Sequence, residues 1–128
     1  MADWQPIEVT RVEVPGLSPM SEHYLDVVLH LSAAPPPGWA QRFGSGGVSV
    51  PMNLRAAWRL EGSSIRFPAE DSDLEAWVAK TKECVALANE VYETQVLPDV
   101  LAREKADRER QAEKDRRVEE ARRRARDL

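Results

Sequence analysis

Few side chains in this 128-residue chain have the types and spacing that chemistry requires. The two histidines, His23 and His30, fall seven residues apart on a stretch that alternates as a β-strand does. They therefore face opposite sides of a sheet and cannot share a metal ion within one subunit. His30 shares its face with Asp26, but four residues along a strand separate the two by about 13 Å, too far for a catalytic pair. The single cysteine, Cys84, lies among apolar residues at helical spacing. That setting suits a small buried hydrophobe, because a thiolate needs a polar, electropositive neighbourhood. With one Cys and neither Cys-x-x-Cys nor His-x-x-x-His spacing, no metal site and no intrachain disulfide are expected. Gly44-Ser45-Gly46-Gly47 lacks the Gly-Lys-Ser/Thr ending and the following long helix of a phosphate cradle, so it reads as a flexible connection. Glu70, Asp71, Asp73 and Glu75 surround a predicted helix N-terminus, where negative charge is stabilising without a bound cation. No catalytic, cofactor-binding or metal-ligating residue is nominated, and the chain is not expected to be an enzyme.

The elements around these residues follow from periodicity. Ile7 to Val14 alternates, but Ile7 and Val9 have opposite parity to Val12 and Val14, which predicts either a bulge near Thr10-Arg11 or a strand that crosses from one packing environment to another. Pro15-Gly16 is expected to end that strand. His23 to Leu31 places Leu25, Val27, Leu29 and Leu31 on one face, and the short link before it demands an antiparallel pair. Pro37 suits the start of a short helix over Gly38 to Phe43, with Trp39 and Phe43 at i and i+4. After the glycine run, Val48, Val50 and Met52 alternate loosely. Arg55 to Leu60 reads as a third strand with Trp58 and Leu60 inward, and Ser64 to Phe67 as a fourth, returning through Glu61-Gly62-Ser63. Ser72-Asp73-Leu74-Glu75 spells a capping box. Behind it Leu74, Trp77, Val78, Cys84, Val85, Ala88, Val91 and Tyr92 make one apolar helical stripe. The expected fold class is α+β: a small four-stranded, mostly antiparallel sheet in the order β-β-short α-β-β-α, with one long C-terminal helix packed on it and projecting beyond it.

Pro98 falls inside that last helix. Without a Gly or Asn stop nearby, a kinked continuation is expected, with the lost hydrogen bond at the Thr94 carbonyl. The division is then a compact α+β body over 1–97 and a highly charged helical extension over 98–128. From Arg103 to Leu128 there are 11 basic and 8 acidic side chains, a net +3. Subtracting these from the chain totals of 18 and 22 leaves 7 and 14, or −7, for the rest. Glu104/Arg108, Glu113/Arg117, Glu119/Arg123 and Glu120/Arg124 stand at i,i+4 in the favourable acid-first order.

A projecting helix without enzymatic constellations points to a non-catalytic protein–protein interaction module, an adaptor or accessory subunit. Its expected contacts are an exposed aromatic segment with Trp39 and Phe43, and, on the extension, Leu97, Val100, Leu101 and Val118. The partner is another protein or a second copy, giving an oligomer. The alternative is a nucleic-acid-associated protein binding through Arg116, Arg117, Arg122, Arg123, Arg124 and Arg126, with salt-sensitive affinity. A third class is a small enzyme or ligand-binding domain with its pocket between the sheet and Trp39/Phe43. No signal peptide opens the chain and its apolar runs are far short of the roughly 20 residues a bilayer needs, so no membrane association and a cytoplasmic location are expected.

Overall fold

The computed structural model describes residues 4–44 and 50–128, so the expectation for Val48 and most of the glycine run lies outside the described residues. Four strands, β1 (Val9–Ser18), β2 (Ser21–Leu31), β3 (Arg59–Glu61) and β4 (Ser64–Ala69), form one sheet in the order β1-β2-β4-β3. Every neighbouring pair is antiparallel. The helices are α1 (Pro37–Arg42), α2 (Met52–Ala57), α3 (Leu74–Val91) and α4 (Leu97–Arg126). This is the expected α+β arrangement, with α2 added and the long C-terminal helix made of α3 and α4 in succession.

Alternation decides the two faces of the sheet. Val27 pairs with Phe67, Leu29 with Ile65 and Leu25 with Ala69, so their side chains share one face. All but the half-buried Leu25 are within the core, against Trp77, Val85, Ala88 and Tyr92 of the long helix. The opposite face pairs Asp26 with Pro68, Val28 with Arg66 and His30 with Ser64. β1 slips register between Val9 and Arg11, where the parity change predicted a bulge, and again between Glu13 and Gly16. The second slip absorbs Pro15, so the strand passes through Pro15-Gly16 to Ser18 instead of stopping there.

Two expectations are corrected. The segment read as a third strand from Arg55 to Leu60 begins as helix α2, and only Arg59–Glu61 joins the sheet. Met-Asn-Leu-Arg-Ala-Ala is rich in helix formers and follows Pro51, and its one completely buried residue, Leu54, supplies the tertiary anchor. The capping box does not form: Asp71–Asp73 makes a 3₁₀ turn, Asp73 donates its N–H to the Glu70 carbonyl at 2.9 Å, and no side chain caps α3. The tighter turn supplies a backbone partner in place of the side-chain cap.

Two polar residues of α3 tie the layers together. The Asn89 carboxamide oxygen accepts from the Ile7 N–H at 3.0 Å and the Trp39 indole N–H at 2.8 Å, and its NH₂ donates to the Ile7 carbonyl at 2.8 Å. Thr81, fully buried, donates its hydroxyl to the Trp77 carbonyl at 2.7 Å and accepts the Trp58 indole N–H at 3.0 Å. Trp4 folds back onto the body, its ring 4.5 Å from Tyr92 and its N–H on Glu93.

Between α3 and α4 the chain stays helical through a π turn, Tyr92–Val96, in which Leu97 donates its N–H to the Tyr92 carbonyl five residues back. The Thr94 hydroxyl donates to the Glu90 carbonyl at 2.9 Å and lies 3.4 Å from that of Val91. Pro98 then falls in the first turn of α4, where a missing N–H is harmless. The continuation through Pro98 holds, and the widened turn ahead of it accommodates the ring.

Candidate interaction surface

α4 is thirty residues long, about 45 Å at 1.5 Å per residue. Its base is tied to the body: Leu97 packs against the core and Val100 and Glu104 are half-buried. From Lys105 onward every residue is exposed, about three-quarters of the helix. Local ion pairs at i,i+3 hold this stretch, and at the anticipated i,i+4 spacing Arg117, after Arg116, helps to lower the Glu113 pKa. Arg110–Asp107 is 3.2 Å, Arg116–Glu113 2.6 Å and Arg122–Glu119 3.9 Å, while Arg126 also reaches Glu119 at 3.6 Å. Arg116 grips Glu113 with two N–H groups, and that hydrogen bonding lowers the Glu113 carboxyl pKa and raises that of the guanidinium.

The nominated contact residues separate into two sets. Leu101 and Val118 are exposed, at 41% and 48%, on the projecting helix. The expectation of an exposed aromatic segment is corrected: Trp39 is 0% exposed, stacked on half-buried Phe43 at 5.5 Å and 9° between planes, and Phe43 in turn meets Trp58 at 4.6 Å. The Pro37-started turn points the indole inward because Asn89 offers its N–H a buried acceptor. Of the six arginines named for nucleic acid, Arg116, Arg122 and Arg126 are engaged by glutamates of their own helix. Arg117, Arg123 and Arg124 make no ion pair among the described residues.

The uncovered sheet face holds a polar cluster that sequence reading missed. His30 Nε2 lies 2.8 Å from Glu13 Oε1 and 3.2 Å from Arg11 Nη2. One ring nitrogen cannot donate to the carboxylate and accept from the guanidinium at once, so the two contacts are alternatives of tautomer. Glu13 is held below the usual carboxylate pKa, chiefly by the His30 hydrogen bond and then by Arg11. Ser64 stands across from His30 in the β2–β4 register, but no hydrogen bond joins them, so the base–nucleophile contact of a Ser-His-carboxylate site is not made. The signal was in cross-strand register, which spacing along one strand does not contain. Arg66 bridges Asp26 at 3.1 Å and Glu61 at 3.8 Å beside this cluster. Cys84 is buried, and desolvation pushes its thiol pKa up, away from nucleophilic character. Among the described residues no cluster of His, Cys, Asp or Glu could hold a metal ion, and no helix is long and apolar enough to cross a membrane.

No protein-family model matches the sequence, and neither the curated proteins nor the solved structures contain a match to it.

Proposed function

We propose that this chain is a non-catalytic protein–protein interaction module, an adaptor or accessory subunit, that presents α4 as a rod to its partner. The observation behind this reading is the exposure of every residue from Lys105 to Leu128 on an element rooted in a packed body by Leu97 and Val100. A free helix of that length costs conformational entropy that its own backbone hydrogen bonds and local ion pairs must offset. A partner that covers one of its faces gives the remaining stabilisation. The polar cluster on the sheet supports an active site less well, since the Ser64 across from its histidine makes no hydrogen bond to it. A location in the cytoplasm, where the single thiol stays reduced, accords with this reading.

The nucleic-acid alternative is less well supported. Half of its arginines already have intrahelical carboxylates, and the stretch from 103 to 128 holds 8 acidic side chains against 11 basic ones. The test is affinity capture from the native host with the full chain and with a chain ending at Ala102, each first checked for the same thermal transition of the body. The full chain should retrieve a protein that the shortened one loses. Identical retrieval by both sinks the reading.

A further inference from the structure

We infer that one face of α4, marked by Arg103, Arg110, Arg117 and Arg124, is a docking stripe for an acidic helix of a different protein; this rests on the interaction-module reading above. The four arginines are spaced by seven residues, and seven steps of about 100° fall about 20° short of two turns. Over 21 residues, about 31 Å, they therefore drift by only about 60° and stay on one side of the rod. Lys114 lies on the same side. Of these five cations only Arg110 has an ion pair, with Asp107, among the described residues.

The surface beside the stripe has the relief a helix needs. A shallow hollow is lined by Lys114, Arg117, Val118, Glu120, Ala121 and Arg124. These are two adjoining diamonds at i, i+3, i+4 and i+7, namely 114-117-118-121 and 117-120-121-124, the four-residue holes that accept knobs of a facing helix. Val118 and Ala121 form the floor; three cations and one carboxylate form the walls. In heptad terms Val118, Ala121, Ala125 and Leu128 supply an apolar seam over the last heptads, Glu104, Asp107, Gln111 and Lys114 fill the same register upstream, and the arginines occupy every g position from 103 to 124.

Charge decides the occupant. If a second copy lay parallel, g would face e five residues on: Arg103 with Arg108, Arg110 with Asp115 and Arg117 with Arg122, two repulsions against one attraction. If it lay antiparallel, g would face g, arginine against arginine. Self-pairing on this face is disfavoured both ways. A nucleic-acid duplex is wider than the stripe, so it would also meet Glu104, Glu113 and Glu120 on the flanks. A narrow helix with Glu or Asp at its e positions contacts the a, d, e and g positions, which from 103 to 124 hold seven basic and three acidic side chains.

The test uses the full chain and a synthetic four-heptad helix with Leu at a and d and Glu at e and g. A twin peptide with Lys at e and g serves as control. Binding is followed by titration calorimetry at about 0.1 M salt. The acidic peptide should bind with a 1:1 ratio, and the quadruple variant Arg103→Glu, Arg110→Glu, Arg117→Glu, Arg124→Glu should weaken it at least tenfold while gaining affinity for the basic twin. Far-UV circular dichroism of the variant guards against loss of the helix; if it unravels, Arg103→Gln with Arg124→Gln is titrated instead and should weaken binding at least threefold. Equal binding of both peptides, no effect of reversal, dimerisation of the free chain through α4, or tighter binding to a 20-base-pair duplex overturns the inference. If the Ala102 truncation loses a host partner that the charge-reversed full chain keeps, the stripe is wrong and the interaction module stands.

Discussion

Replacing Asn89 by Ala should be among the most damaging single changes on α3. Its carboxamide makes three hydrogen bonds, to the Trp39 indole N–H and to both backbone groups of Ile7, and thereby joins α1, the N-terminal segment and α3. Ala leaves the fully buried Trp39 N–H without an acceptor, at about 2 kcal/mol, within the range for an unsatisfied buried donor. The two Ile7 groups sit at a 4% exposed residue flanked by exposed Pro6 and Glu8, so about 0.5–1 kcal/mol each is appropriate. The sum is about 3–4 kcal/mol, a large share of the 5–15 kcal/mol typical of a whole domain. In urea unfolding, with a slope of about 1.5–2 kcal/mol/M, the midpoint should fall by about 2 M. A cycle with Trp39→Phe should return a coupling of about 1 kcal/mol or more, since both single variants break the same bond. A loss below about 1 kcal/mol, or no coupling, would refute the claim that this amide holds the three segments together.

Two further outcomes rest on other contacts. At Gly38 an added Cβ would come within 2.7 Å of Val96 Cγ1 and 3.4 Å of the Tyr92 ring, so Gly38→Ala should destabilise by about 1–3 kcal/mol. Adding Val96→Ala should restore part of that loss in thermal unfolding, and no restoration would mean that α1 does not bear on the π turn. Glu13 has a depressed pKa, so its stabilising contribution is present above the ordinary glutamate value of about 4.3 and fades as pH falls through the lower folded value. The difference in urea midpoint between the natural chain and Glu13→Gln should therefore shrink below about pH 4, and a constant difference would argue against the His30 contact as its source.

Local periodicity carried a good deal of this molecule. The Leu25–Leu31 alternation placed β2 and its inward face, the parity change in β1 placed the bulge at Thr10, and the apolar stripe from Leu74 to Tyr92 placed α3. The cations at 103, 110, 117 and 124 were equally readable, because a helix turns a spacing of seven into a shared side. Where reading failed, a tertiary partner had overruled a local preference. Trp58 resembles an inward strand residue, yet it caps α2, and its indole reaches Thr81. Ser72 spells a cap, yet a 3₁₀ turn takes its place.

The chain's own pattern of apolar and charged residues determined the α+β class, the antiparallel hairpin and the long helix that outruns its body, since each depends on contacts a few residues apart or on burial of one regular face. Only the tertiary structure decided that Trp39 lies inside, that Asn89 joins three segments and that His30 meets Glu13. Those outcomes depend on groups that are 50, 82 and 17 residues apart in the chain and adjacent only after the layers close, a proximity that no local spacing encodes.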